Sequence, residues 1–455
     1  MLEITPAEFR RVADEIARIA TEYLESLAAR PALPPKLNGA ALQQQFAEPL
    51  PLEGRGMAAL DDLEKVIAAS RPNSPRFFAY VMGTGEPVGA AADLLASVLN
   101  QNVTSWRSAP AGATIEHLII GWLAEAIGCV GFSGSLCGGG SAANLMGLAM
   151  ARESRLPSNE AGAQAACVYC SAEAHMSIPK AVALLGLGRE NMRHIAVDEH
   201  FRMRVDELER AIEEDQRAGR RAVAIVATAG TVNTGAVDPL ADIAEVAQRH
   251  KLWLHVDGAY GALAAIAKPE LFRGLSAADS ISLDAHKWLY QSVDCGCLLY
   301  REAAAAQQAF SHSGDYARSL SQDPIEGFAF FEESLELSRR FRALRLWLSL
   351  RYHGLNAFRE AITADLQNAQ EFARMVDAEP RLERLAPIEL SAVCFRVRDA
   401  DNAAILKRVI QRGRVYISNA TIRGQFALRC CFMNHRTTPE DVRAVVEEVL
   451  AAAQN

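Results

Sequence analysis

Between Val88 and Arg301, short runs rich in Val, Ile and Ala alternate with helical stretches. The candidate strands are Cys167–Ser171, Val223–Thr228, Leu252–Val256, Ile281–Leu283 and Gly296–Tyr300. The stretches Ser141–Glu153, Val205–Ala218 and Pro239–Gln248 carry a helical pattern between them. Strands that are apolar at successive positions, rather than at alternate ones, must be covered on both faces. The pattern therefore predicts an α/β fold, with a mostly parallel central sheet and helices on both faces.

The flanks read differently. Thr5-Pro6-Ala7-Glu8 is a capping box with Pro at the first helical position. Phe9, Val12, Ile16, Ile19 and Leu24 then recur at roughly helical spacing, and the segment Pro31–Pro35 ends that helix. Beyond Arg301, the polar segment Ser311–Pro324 predicts a surface loop. A long helical region from about Glu333 leads to strand Ala392–Val397 and helix Asp401–Gln411. Strands Val415–Ile417 and Phe426–Phe432 and a closing helix, Thr438–Ala452, complete the pattern. These changes divide the chain into an N-terminal helical segment (1–87), a large domain (88–332) and a small α+β domain (333–455).

Several function classes drop out. A net charge of −8 without a basic tract argues against nucleic-acid binding. The most apolar stretch, Ile115–Phe132, is interrupted by Glu116, His117 and Glu125, so no membrane span is expected. The start MLEITPAEFRR lacks the basic and apolar regions of a secretory signal. Cys167 and Cys170 have CxxC spacing but sit in a candidate strand, with no second ligand pair downstream, so core thiols are expected and no metal. The expectation is a reduced, cytoplasmic protein.

Four features of the large domain carry chemistry. The run Gly138-Gly139-Gly140-Ser141-Ala142-Ala143-Asn144 opens a helix. Glycines let backbone amides approach an anion, and a helix N-terminus favours phosphate. His175 stands in SAEAHMS. Asp257, in HVDGAYG, follows an apolar strand, where open α/β sheets bind ligands. Lys287, in Asp284-Ala285-His286-Lys287-Trp288, follows the strand ISL. Lysine is scarce here: the others are Lys36, Lys65, Lys180, Lys251, Lys268 and Lys407. A lysine among apolar and aromatic neighbours suits attachment to a carbonyl.

Singly, each feature has a plain structural reading: a turn, a satisfied histidine, a helix cap, a surface lysine. Together they form a pyridoxal 5'-phosphate site. Gly139, Gly140 and Ser141 are the anion cradle, and Lys287 is the amine for the cofactor aldehyde. Asp257 is the carboxylate for the pyridine nitrogen, and His175 is the flat group against the ring.

These motifs resemble the group II pyridoxal-phosphate-dependent amino-acid decarboxylases, the aromatic-L-amino-acid decarboxylase family. RFFAY (Arg76–Tyr80), SAPAGATIE (Ser108–Glu116), GGGSAANL, VATAGT (Val226–Thr231), HVDGAYG, DAHKWL, DCGCLL and SRRFRALRLW (Ser338–Trp347) look like family blocks in the family's order. The resemblance implies the fold type I architecture and a homodimer with active sites at the interface. It implies decarboxylation of an L-amino acid, with an aromatic one as the default, to the amine and CO2. It places Thr228 and Ala259 beside the cofactor, and His286 and Asp284 near its phosphate. Asp284 stands where some relatives carry Asn, and two anions repel. Tyr80, Gly83, Phe330 and Arg429 would meet the substrate, Arg429 through its carboxylate. Arg76 and Arg107 leave acidic substrates open.

One position departs from the family. Counting back without gaps from SRRFRAL puts Phe330 where relatives carry a loop tyrosine, the proton donor to the α-carbon. Phenylalanine has no proton to give. Tyr316 aligns with a different family tyrosine. The alternative product set is therefore an aldehyde, ammonia and hydrogen peroxide, as in plant aldehyde synthases.

Overall fold

The computed structural model describes residues 2–34, 38–312 and 323–454. Helix α1 (Pro6–Ser26) begins at a Thr5 side chain that accepts from the Glu8 amide, as the capping box predicts. Helices α2 (Gly39–Phe46), α3 (Leu63–Ala69), α4 (Pro87–Leu99) and α5 (Pro110–Ala126) follow. None of the residues of α1 is buried.

The large sheet contains strands β1 (Ser133–Cys137), β2 (Cys167–Ser171), β3 (Met192–Ile195), β4 (Ala222–Thr228), β5 (Trp253–Asp257), β6 (Ser280–Asp284) and β7 (Gly296–Tyr300). Their order is β1-β7-β6-β5-β4-β2-β3. The pairs among β3, β2, β4, β5 and β6 are parallel, and β7 runs antiparallel to both its neighbours. Along β4, Ile225 and Ala227 face one core while Ala224 and Val226 face the other. That two-sided burial explains the continuous apolar run. Helices α6 (Gly140–Arg155), α7 (Ser177–Leu184) and, later in the chain, Ala303–Phe310 cover one face. Helices α5, α8 (Val205–Arg217) and α9 (Leu240–His250) cover the other. A one-turn helix, α10 (Ala285–Trp288), leaves β6 directly, and Ala303–Phe310 is α11.

Helix α12 (Ala343–Ala378) is broken at Gly354, which has φ +76, and leads into the small domain. That domain is an antiparallel sheet in the order β10-β11-β9-β8, built from β8 (Leu382–Arg384), β9 (Ala392–Val397), β10 (Ser418–Ile422) and β11 (Gln425–Cys431). Helices α13 (Asn402–Arg412) and α14 (Pro439–Ala453) pack on it. The strand expected at Val415–Ile417 begins instead at Ser418. Tyr416 is engaged elsewhere: its carbonyl accepts from the Phe78 amide (2.8 Å), and its amide donates to the Arg76 carbonyl (3.1 Å). The Cys431 amide donates to the Phe78 carbonyl (2.8 Å), so residues 76–78 are stitched to the small sheet.

Candidate active site

Three strands end side by side at one rim of the large sheet. Thr228 closes β4, Asp257 closes β5 and Asp284 closes β6, with Thr228 opposite Asp257 and Asp257 opposite Ser282. The carboxyl ends of parallel strands are where such sheets bind ligands. Lys287 sits on α10, immediately after β6. Across from them α6 begins. Gly139 has φ +113, a conformation side chains resist. A Cβ on Gly140 would lie 2.6 Å from that of Ala259, so only glycine lets this turn pack on the strand ends. The first N–H groups of a helix have no partner within it and favour an anion.

These elements enclose a cavity of about 530 Å3. Its wall contains Tyr80, Gly139, Gly140, Ser141, His175, Thr228, Asp257, Ala259, Asp284, His286, Lys287 and Arg429. The structure thus brings together residues spread over most of the chain.

A hydrogen-bond path fixes two of them. The Asp257 carboxylate accepts from the Ser282 hydroxyl (3.1 Å), the Ala259 amide (3.2 Å) and the Asn144 side-chain amide (3.0 Å). Asn144 Nδ2 also reaches Ser177 Oγ at 2.9 Å, which lies 2.8 Å from His175 Nδ1. The Ser177 backbone N–H donates to His175 Nδ1 (3.2 Å). An N–H can only donate, so Nδ1 is the acceptor and Nε2 carries the proton of a neutral ring. Burial, against the pull of Asp257, lowers the His175 pKa and supports that state. Asn144 is oriented from behind, because its Oδ1 lies 2.9 Å from His255 Nε2. Asn144, Ser177, His255 and Ser282 were not singled out in the sequence. Asn144, one helical turn after Gly140, and His255, two residues before Asp257, stand inside the quoted motifs.

His255 also implies acid sensitivity. It is fully buried, and burial pushes its imidazole from the usual 6.5 down to about 4. Below its ordinary pKa the unfolded chain binds a proton that the folded chain refuses, so stability falls with pH. The contribution is fully present above about pH 6.5 and is lost toward pH 4. A His255→Gln variant is expected to lose less stability than the parent across that window in thermal denaturation. Parallel losses would remove His255 as a source.

Lys287 Nζ lies 2.9 Å from Asp284 Oδ2, and His286 Nε2 lies 3.6 Å from the same oxygen. Burial lowers the His286 pKa. Two buried polar atoms of the wall, Asp284 Oδ1 and Thr228 Oγ1, have no hydrogen-bond partner among the described residues. The wall thus holds an anion cradle, a fixed carboxylate, a lysine amine and a neutral imidazole. That donor set fits pyridoxal phosphate.

Other expected residues lie differently. Gly83 is not in the wall: its amide donates to the His286 carbonyl (3.2 Å), and a Cβ there would stand 2.5 Å from the carbonyl oxygens of His286 and Lys287. Its role is close backbone approach. Phe330 also lies outside the wall. It is fully buried, with the Arg339 guanidinium 4.2 Å from its ring centre and His117 stacked at 5.1 Å. Counting residues along a loop could not reveal that this ring is held by a cation. Arg429 is in the wall, but it donates to the carbonyls of Asn233 (3.0 Å), Val232 and Tyr80 (3.3 Å). Arg76 is paired with Asp441 at 2.7 Å. Tyr316 lies outside the described residues.

Known proteins resemble the chain along nearly its whole length. Residues 44–398 match the family model "Pyridoxal-dependent decarboxylase conserved domain". The aromatic-L-amino-acid decarboxylase of Bacillus atrophaeus is 31% identical, over 100% of this chain and 97% of that protein. The crystal structure of Oryza sativa TDC with PLP and tryptamine superposes with a TM-score of 0.94 at 27% identity, covering 100% of this chain and 99% of that one. The Rhodiola rosea 4-hydroxyphenylacetaldehyde synthase structure gives 0.90 at 28% identity, covering 99% of each chain. The chain belongs to the pyridoxal-dependent decarboxylase family. Its fold is that of fold type I, its cofactor is pyridoxal phosphate, and it is a carboxy-lyase acting on an amino acid.

Proposed function

We propose that this chain converts an aromatic L-amino acid to the corresponding amine and CO2. The observation that carries the reading is the unbroken hydrogen-bond path from His175 through Ser177 and Asn144 to Asp257, in the same cavity wall as Lys287. The aromatic substrate is supported by the name of the Bacillus atrophaeus relative and by the tryptamine in the Oryza sativa structure.

When bound, pyridoxal phosphate supplies the electron sink that lets CO2 leave the α-carbon. Lys287 would hold its aldehyde, and Asp257 would accept from its ring nitrogen. His175 would lie against the ring, with its Nε2 proton available to the substrate. Gly139, Gly140, Ser141 and His286 would hold the phosphate, with Thr228 and Ala259 alongside. Asp284 pairs with Lys287, so in this reading it serves the lysine rather than the phosphate. Arg429 braces the cavity wall through backbone carbonyls, which supports a positioning role beside the substrate.

The working unit in this reading is a homodimer. Helix α4 exposes Leu94, Leu95, Val98 and Leu99, and α1 exposes Phe9, Ile16 and Leu24. Clustered apolar side chains of this kind support a partner surface. The division at residues 87 and 332 remains our proposed organisation. Among the described residues no helix is long and apolar enough to cross a membrane. The nine cysteines are buried and free, which supports a reducing, cytoplasmic setting.

The aldehyde-forming alternative drew on Phe330, whose ring is packed under Arg339 rather than in the cavity. The product then depends on which cavity group delivers a proton. A panel of amino acids, with CO2, amine, aldehyde and peroxide recorded together, tests the reading. One amine per CO2 from an aromatic substrate is expected. Aldehyde and peroxide matching CO2 would overturn the amine assignment.

A further inference from the structure

The carbon that loses CO2 must receive a proton, and Phe330, which has none to give, is buried outside the cavity wall. We propose that Tyr80 is the acid that supplies it, with Tyr416 and Arg71 holding its phenol in place. The proposal rests on the decarboxylase reading above and deepens it.

Position comes first. Tyr80 lines the cavity with Lys287 and His175 and remains 47% exposed. Three residues on, Gly83 lies against the carbonyls of His286 and Lys287, so this segment rides on the turn that carries the lysine. Tyr80 itself has φ +63, an unfavourable backbone conformation for a bulky residue. Such strain persists only where surrounding contacts over-determine it, and it concentrates at functional sites. Here the contacts are visible. Arg429 donates to the Tyr80 carbonyl at 3.3 Å, and the preceding residues are bonded to Tyr416 and Cys431.

The phenol is equally constrained. Its oxygen lies 3.4 Å from the Tyr416 hydroxyl. Arg71 stands over three rings, with its guanidinium 4.9 Å from the centre of Phe77 and 5.2 Å from those of Tyr80 and Tyr416. No ion pair joins Arg71 to a carboxylate among the described residues. The hydrogen bond from Tyr416, followed by Arg71, lowers the Tyr80 pKa, while burial raises that of Tyr416. Of the two phenols, Tyr80 lines the cavity and Tyr416 stands behind it.

One imidazole and three other hydroxyls of the wall are less suited. His175 is a neutral ring, a weak acid. Ser141 belongs to the anion cradle, and the Tyr260 hydroxyl is buried against Ser391 at 2.9 Å. Ser418 carries a hydrogen bond from Arg429 at 3.4 Å.

The step balances without an added reagent. The Tyr80 O–H bond breaks and its electrons stay on oxygen. A C–H bond forms at the α-carbon from the electron pair left by CO2. The phenolate is then reprotonated from solvent, with Tyr416 stabilising it meanwhile. Where no proton arrives, molecular oxygen can take the electrons, and with one water the products are aldehyde, ammonia and hydrogen peroxide.

The test uses the holoenzyme. Tyr80→Phe is expected to lower amine formation by about 100-fold or more, the usual contribution of a general acid. CO2 release in the first turnover should persist, and aldehyde and peroxide should rise under oxygen. An unchanged ratio of amine to CO2 overturns the proposal. Wild-type protein that releases no CO2 from any amino acid instead overturns the decarboxylase reading, so the two failures are distinct. Should Tyr80→Phe not fold, Tyr416→Phe and Arg71→Gln keep the question open to test. Both should move the alkaline limb of the pH profile upward, because each removes a group that lowers the Tyr80 pKa. The groups facing this phenol are Tyr416 and Arg71, and those across the cavity are His175, Asp257, Asp284, His286 and Lys287. Carbon-13 NMR of labelled tyrosine in the holoenzyme gives a readout apart from activity. An early-titrating signal should vanish in Tyr80→Phe, and an alkaline limb unmoved in both other variants overturns the role.

Discussion

Replacing Lys287 with Ala is expected to abolish the visible absorbance of the cofactor-loaded protein and to reduce CO2 release by about 1,000-fold or more. Among the described residues no other lysine lines the cavity. Lys180, on α7, is exposed and acts on His175 only at a distance. The substitution has a second effect, because it strips Asp284 of the cation 2.9 Å away and leaves a buried carboxylate beside the phosphate cradle. Such a charge disfavours a phosphate directly. The double variant Lys287→Ala, Asp284→Asn separates the two effects. It should regain affinity for free cofactor, measured by quenching of protein fluorescence, yet recover neither absorbance nor CO2 release. A Lys287→Ala protein that keeps its colour would move the attachment point elsewhere.

The largest expected effect on stability lies away from the chemistry. Glu116, on α5, and Arg339 are both almost wholly buried, at 0% and 1% side-chain exposure. Glu116 also accepts from the Leu136 amide (2.9 Å), and Arg339 donates to the carbonyls of Val103 (2.7 Å) and Leu136 (2.8 Å). The pair joins α5, β1 and the chain that enters α12. Removing one partner leaves an uncompensated charge in the interior, which costs about 3–5 kcal/mol. Glu116→Gln should therefore shift the denaturant midpoint strongly downward. A cost below about 1 kcal/mol, the worth of an exposed pair, would show that water reaches Arg339.

The central strands were legible because burial on both faces leaves a continuous apolar run, as in β4 and β5. Strand β1, Ser-Gly-Ser-Leu-Cys, was not, since serine and glycine carry no strand signal there. Strand β3 is a short edge with Arg193 and His194 at its centre. The chemical motifs were legible because each is contiguous. The path that connects them was not: Asn144 and Asp257 are 113 residues apart and meet only through the packing of α6 on the sheet. Phe330 differs: a gap-free count set it among the substrate-facing residues, and in the fold its ring packs against the Arg339 guanidinium.

Helix α6 supplies the cradle at Gly140 and Ser141 and the Asp257-bound amide at Asn144. Four residues of helix span about 6 Å. One rigid rod therefore gauges the cofactor, setting the spacing between its phosphate anchor and the carboxylate meant for its ring. A cofactor analogue with a longer or shorter phosphate arm would meet only one of the two, and no adjustment of a single side chain could restore both.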